Sequence, residues 1–461
     1  MVTPAIVGEK SYYRTVLRVS LPLVLSMAAI TVTEFTDRVF LSNYHLDAIA
    51  AALPAGITAH LITSLFMGVA AYLSVFVAQY VGAGVDQRVG QVIWQGLYFT
   101  VFSAVCLYAI SHLGHHIFRW SGHSPGIQQL EVTYFKIVCT GGAAMVFNTV
   151  LSAFFLGRGV TRPVLLINVV AMLVNIPLDY VLIFGVGWFP RLGIAGAAIA
   201  TVTAWCASGC LLALLTFTAA NDERYGVLKN RKPRFHMLKR IMVFGVPGAL
   251  QHSLDVVGFT FFALIMGRVG DTELAVSNMI FSINALAFIP AMGFSQGLSA
   301  LVGQAIGGGH YDAVPQLTRC TSRLLTAYLT LLALLFVLAP QWVLSLFTME
   351  MAQGAQKSLV VAEGSVLLKI VVFYMFFDAR YMVYVGTLKG AGDTRFIMWS
   401  VGMLSLAVMI LPLYVGIIHL GAGLYFAWSC VTFFVLCLYG VCFYRYRSGK
   451  WQTIRLIKRS G

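Results

Sequence analysis

The chain has 461 residues, 59% of them hydrophobic and only 10% charged, where a soluble domain carries about 45–50% apolar and about 25% charged residues. With a mean hydropathy of +0.83, a water-soluble globular protein is excluded: so few charges cannot cover that much apolar surface, and part of the solvent has to be lipid. The formal charge of +14 would point to a nucleic acid in a soluble chain, but in a polytopic membrane protein it reads as a topology signal, and no nucleic-acid partner is expected.

Taken in chain order, apolar stretches long enough to cross a hydrocarbon core of about 30 Å lie near 15–43, 47–80, 90–116, 131–157, 163–187 and 193–220. A second set follows near 237–267, 272–306, 315–347, 360–390, 395–419 and 421–445. Turn-forming glycines punctuate the breaks, as in Gly82-Ala83-Gly84, Gly157-Arg158-Gly159, Gly307-Gly308-Gly309 and Gly390-Ala391-Gly392. The pattern predicts an all-α integral membrane protein of twelve transmembrane helices with short loops. The first fourteen residues are polar and basic and lead into a span too long for a signal-peptide core, so no leader is expected. The eight cysteines lie mostly in apolar runs without CxxC or metal-type spacing, which predicts neither a disulfide nor a metal site.

Basic residues concentrate in the N-terminal tail, the even-numbered loops and the C-terminal tail. The largest clusters are Arg224, Lys229, Arg231, Lys232, Arg234, Lys239 and Arg240 in the 221–240 connection, and the run from Arg445 to Arg459. By the positive-inside rule both termini and the central connection are cytoplasmic, in a cell membrane of the bacterial inner-membrane type. The same basic runs suit anionic headgroups.

The central connection also separates two related halves. Sliding the chain along itself by 225 positions brings Pro22 onto Pro247, Ala50 onto Ala275, Gly68 onto Gly293, Leu73-Ser74 onto Leu298-Ser299, Val77 onto Val302, Gln79 onto Gln304, and Gly82 and Gly84 onto Gly307 and Gly309. Weaker echoes link Gly157-Arg158-Gly159 to Gly390-Ala391-Gly392 and Ile176-Pro177-Leu178 to Leu411-Pro412-Leu413. The expected organisation is a six-helix lobe over 1–220, a cytoplasmic linker over 221–240, a second six-helix lobe over 241–445 and a cytoplasmic tail over 446–461. An even helix count per half makes the repeat parallel, about an axis along the membrane normal, and two such bundles facing a shared cleft suit alternating access. No P-loop is present, so the energy source is not ATP hydrolysed by this chain.

Charges inside the spans are costly and mark function. Glu34, Asp37 and Arg38 fall in the first helix, Asn175 and Asp179 in the fifth, His252 and Asp255 in the seventh, and Tyr374 and Asp378 in the tenth. Spacings of three or four put Glu34 with Asp37, Asn175 with Asp179, His252 with Asp255 and Tyr374 with Asp378 on shared faces. The first group, with Thr201 from the sixth helix, makes an oxygen-rich site for H⁺ or Na⁺. Asp255 and Asp378, if they meet, need a cation between them. The competing readings are that Arg38 neutralises Glu34, that Asp37 sits in water at a helix end, and that His252 is a packed core histidine. Pro177, Pro290 and Pro412 free backbone carbonyls within their helices.

The motifs resemble the multidrug and toxic compound extrusion (MATE) transporters, part of a superfamily that also holds polysaccharide and lipid flippases. Pro22 with Thr36-Asp37-Arg38-Val39-Phe40 is similar to that family's first-helix pattern, and Gln79-Tyr80-Val81-Gly82-Ala83-Gly84 and Val302-Gly303-Gln304-Ala305-Ile306-Gly307 to its paired Gly-Gln loops. Asn175-Ile176-Pro177-Leu178-Asp179 resembles its fifth-helix motif, and Leu388-Lys389-Gly390-Ala391-Gly392-Asp393-Thr394-Arg395 its loop after the tenth helix. The resemblance implies an N-lobe cation or proton site of Asp37, Asn175, Asp179 and Thr201. Gly245-x-Pro247 with Asp255 matches the NorM-like branch, where Asp255, Tyr374 and Asp378 form a C-lobe cation site. Glu34 and Arg38 around Asp37, and Asp at 255, depart from the common pattern, leaving Glu34, Arg38 and His252 as modulators.

The function so implied is a secondary active antiporter, not an enzyme, that exports small organic cations or amphipathic drugs against inward H⁺ or Na⁺. It works as a monomer in the lipid bilayer, without a cofactor. A lipid-linked oligosaccharide flippase is the alternative; that activity wants a strongly basic cavity, whereas the charged clusters singled out here are mainly acidic, with Glu34, Asp37, Asp179, Asp255 and Asp378 against Arg38 and Arg380.

Overall fold

The computed structural model describes residues 9–120, 122–347 and 355–457. Among them, twelve helices are long and apolar enough to cross a membrane. They are α1 (Glu9–Tyr44), α2 (Leu46–Gly82), α3 (Gln87–Ser111), α4 (Pro125–Gly157), α5 (Arg162–Phe184) and α6 (Ile194–Thr216), then α7 (Phe235–Val269), α8 (Asp271–Gly308), α9 (Ala313–Leu338), α10 (Ala355–Ala391), α11 (Thr394–His419) and α12 (Leu424–Arg447). The protein is a multi-pass, all-α membrane protein. At 1.5 Å per residue, the 37 residues of α2 span about 55 Å, so this helix outruns the hydrocarbon core. Three short helices stand apart from the spans: Pro340–Ser345 lies inside the stretch 315–347 expected as one span, Gly114–Arg119 straddles the end of 90–116, and Ala219–Tyr225 falls almost entirely in the connection after 220. Pro177 and Pro290 sit inside continuous helices. Pro412 instead lies between two π-helical stretches, Ser405–Ile410 and Val415–His419, the wider turn being one way to accommodate a missing N–H and a bulky ring. No disulfide joins the eight cysteines.

The chain divides into two compact units that do not follow chain order. One takes residues 21–250 with 303–310 and 456–457; the other takes α1 as far as Ser20, then Gln251–Val302 and Tyr311–Arg455. The cuts fall within α1 and α7 close to Pro22 and Pro247, which are repeat partners.

The repeat appears as recurring contacts inside each unit. In the first, Gly157 lies against the Ser74 carbonyl and Val77; in the second, Gly390 lies against the Ser299 carbonyl and Val302. Ser74 and Ser299 are 225 positions apart, as are Val77 and Val302. Gly84 and Gly309 share left-handed φ values of 72° and 81°, and Gly159 and Gly392 values of 70° and 100°, a region open to glycine at little cost. The paired Gly-Gln segments also pack on each other within the first unit. A Cβ on Gly82 would collide with the Gln304 backbone, and one on Gly307 with the Gln79 backbone. Gln304 Nε2 donates to the Gly157 carbonyl at 2.7 Å.

The basic connection after α6 is a docked strap rather than a loose link. Thr218 caps the short Ala219–Tyr225 helix, which ends at left-handed Gly226, and Asp222 Oδ1 accepts from the N–H groups of Leu228 and Lys229 at 2.6 and 3.0 Å. On α3, Trp94 Nε1 donates to the Val227 carbonyl at 2.6 Å, and Gln95 Oε1 accepts from the Arg234 N–H at 2.9 Å. α7 begins at Phe235, so Lys239 and Arg240 already belong to a helix. Lys458 and Arg459, at the end of the second basic run, lie outside the described residues.

Candidate cation-binding sites

Helix lengths bring the first acidic cluster to one depth. Asp37 stands seven residues before the end of α1, Asp179 five before the end of α5, and Thr201 seven after the start of α6. Those ends share a membrane face because successive spans alternate in direction, so the three side chains lie about 8–11 Å along the helix axes from those ends. Thr201 Oγ1 donates to Asp37 Oδ2 at 3.4 Å. Asp179 faces Asp37 on one side and Asn175 on the other. Asn175 and Asp179 are 1% and 0% exposed, while Asp37 is half-buried.

Five polar atoms in this cluster are sealed from solvent without a hydrogen-bond partner: Asp37 Oδ1, both Asp179 oxygens, and both amide atoms of Asn175. Two facing carboxylates can only accept, so neither bonds the other unless one holds a proton. Buried acceptors normally find a donor or a cation, and here two carboxylates, an amide oxygen and a hydroxyl supply ligands without a basic side chain in ion-pair range. Arg38 and Glu34 are exposed and act on Asp37 only as charges at a distance. Arg38 forms no ion pair with Glu34 or Asp37 among the described residues, so direct neutralisation of Glu34 is not observed. Asp37 is likewise not at an aqueous helix end.

Sequence reasoning missed Tyr134. This α4 residue lies within electrostatic reach of both Asp37 and Asp179. It packs against an apolar cluster that includes Leu41 of α1, Ile183 of α5 and Ala197 of α6. The signal was its position, nine residues into a helix entering from the same face.

The second cluster is built differently. Asp255, on α7, accepts a hydrogen bond from Gln251 Nε2 one turn earlier. Asp378, on α10, lies within electrostatic reach of Asp255, and Tyr374, one turn before it, is 3% exposed and feels the same carboxyl. Two further neighbours were not foreseen. Lys389, three turns further along α10, brings its ammonium within electrostatic reach of Asp255, and the buried Tyr381 hydroxyl lies close to both acids without a hydrogen-bond partner. His252 is half-buried one turn before Asp255. The structure thus brings together all four expected residues of the first cluster and all three of the second.

With the geometry in place, the relatives are informative. The probable multidrug resistance protein NorM of Thermotoga maritima is 24% identical over 427 residues, covering 92% of this chain and 89% of that protein. The multidrug resistance protein NorM of Burkholderia vietnamiensis is 27% identical over 394 residues, covering 84% of each. Among solved structures, one described as the outward-facing conformation of a multidrug resistance MATE family transporter of the MOP superfamily shares the fold. It has a TM-score of 0.82 at 21% identity over 95% of both chains. The MatE family profile matches residues 22–181 and 247–415, a segment in each half. The chain belongs to the MatE family, a family of membrane transporters and not of enzymes.

Proposed function

We propose that the protein is a secondary active efflux antiporter that exchanges an organic cation for inward protons, with Asp37 and Asp179 as the proton carriers. The observation that carries this reading is the facing of those two carboxyls, with sealed oxygens and, among the described residues, no ion pair to arginine or lysine. A proton shared between them satisfies both and leaves one negative charge. Releasing that proton to the other side returns an anionic pair that must find a cation again, and this difference in affinity couples ion to conformation. Asn175 and Thr201 orient the pair, and Glu34 and Arg38 tune it through charge. Asp255, Tyr374 and Asp378 form a secondary site whose demand for a mobile cation is reduced by Lys389.

The names of the relatives support drug efflux, and the unpartnered carboxylate oxygens of the first cluster support cationic cargo. In this reading the lobes are 1–220 and 241–445, both termini face the cytoplasm of the bacterial inner membrane, and the chain works as a monomer. Reconstitution tests the proposal. Proteoliposomes with imposed proton or Na⁺ gradients, separately, should move a fluorescent organic cation such as ethidium only when protons run downhill. Ethidium movement driven by Na⁺ alone would overturn the proton assignment, and movement of a lipid-linked oligosaccharide in place of ethidium would favour the flippase alternative.

A further inference from the structure

One more carboxyl is sealed within the first unit, and neither cluster uses it. Glu131 lies six residues into α4 with 0% of its side chain exposed. Its Oε1 is 2.7 Å from Nδ1 of His123, whose side chain is 41% exposed in the segment before α4. Its Oε2 is buried without a hydrogen-bond partner. The pair therefore joins a solvent-accessible imidazole to a sealed carboxyl with one oxygen to spare. Tyr134 follows Glu131 by three residues, which puts it on the same helix face about 4.5 Å deeper, and Tyr134 lies within electrostatic range of Asp37 and Asp179.

Other ionisable groups around this end are engaged elsewhere. On α2, Asp47 is 3.5 Å from His45, and the two are 58% and 63% exposed. The Gly114–Arg119 helix buries Gly114 and Phe118 and exposes His115, His116 and Arg119. His112, after α3, contacts the Tyr108 carbonyl at 2.9 Å. Arg191, before α6, stacks on Tyr44 at 4.8 Å. From α1 and α5 the nearby charges are Glu34, Asp37, Arg38 and Asp179, clustered around Tyr134.

The geometry points to His123 and Glu131 as a proton-entry relay that loads the Asp37–Asp179 pair through Tyr134; it rests on the proton reading above. His123 takes a proton from water at Nε2 and gives its Nδ1 hydrogen to Glu131 Oε1, and later exchange with water restores the tautomer. Rotation of the protonated Glu131 carboxyl carries that hydrogen from the His123 side towards Tyr134, and Glu131 gives it to the Tyr134 oxygen as Tyr134 passes its own hydrogen to an aspartate, leaving Glu131 a carboxylate again. One proton moves inward, no bond other than those to hydrogen changes, and nothing is oxidised or reduced.

The test uses the full chain in proteoliposomes with a trapped pH dye and ethidium. Glu131→Gln should slow gradient-driven proton uptake at least about tenfold, in line with loss of a positioned acid–base group, while ethidium binding in detergent stays at the wild-type level. Glu131→Asp should restore much of the rate. His123→Gln should slow uptake by a similar factor. Wild-type uptake in Glu131→Gln would overturn the relay alone. So would equal slowing in Glu131→Asp with a matching loss of ethidium binding, which marks a packing role. A wild-type protein driven by Na⁺ and not by protons would overturn the relay together with the proton reading.

Discussion

The two acidic clusters differ in how their negative charge is answered. Around Asp37 and Asp179 the neighbours are an amide, a hydroxyl and a phenol, and five polar atoms are left without partners. Around Asp255 and Asp378 there is a side-chain amide bonded to one acid and a lysine within reach of it. A site lacking its own cation has to take one from solution, whereas a tethered ammonium lessens that need while costing little reorganisation. Two halves of one repeat have thus diverged in electrostatics while keeping the backbone contacts of Gly157 and Gly390.

The contrast is breakable at four points. Asp37→Asn should have the largest effect, lowering proton-driven ethidium transport by about 100-fold or more, since a carrier of the coupling proton is removed. Its melting temperature should stay close to wild type, and full transport in proteoliposomes would dissolve the distinction between the clusters. Lys389→Met should lower transport by about tenfold through the unanswered charge left beside Asp255, and added Na⁺ should recover part of it as the second cluster starts to behave like the first. Tyr134→Phe removes the hydroxyl that passes the proton on and should slow proton uptake by about tenfold, as Glu131→Gln does, with ethidium binding unaffected. Thr201→Ala should be mildest, tightening the apparent proton affinity of the first cluster by about two- to threefold, because a long hydrogen bond donated to the Asp37 carboxylate is lost; a pH titration of transport checks it.

Much of the frame was legible in the residues. The 225-position register of Gln79 with Gln304 and of Gly82 with Gly307 predicts repeated packing, and it is found because close backbone approach tolerates no Cβ at either glycine. The depth of Asp37, Asp179 and Thr201 was equally readable, since helix rise turns sequence position into distance from the membrane face. Other features were hidden. Tyr134 and Lys389 look like ordinary residues near a helix end, and nothing in the spacing of either shows which acid it reaches. Trp94 and Gln95 look like interfacial residues of α3, but their side chains hold the strap. The partial exchange of α1 and α7 between units also left no composition change at Ser20 or Leu250.

By itself, then, the sequence determined the solvent, the twelve spans, the parallel repeat and the depth of each buried charge, because these depend on transfer into lipid and on fixed helix geometry. Tertiary structure decided which faces meet: that Asp179 looks at Asp37, and that Lys389 reaches Asp255. In a lipid-solvated helix the lipid-facing and core-facing sides are both apolar, so periodicity does not fix rotation about the helix axis; side-chain packing against neighbouring helices does.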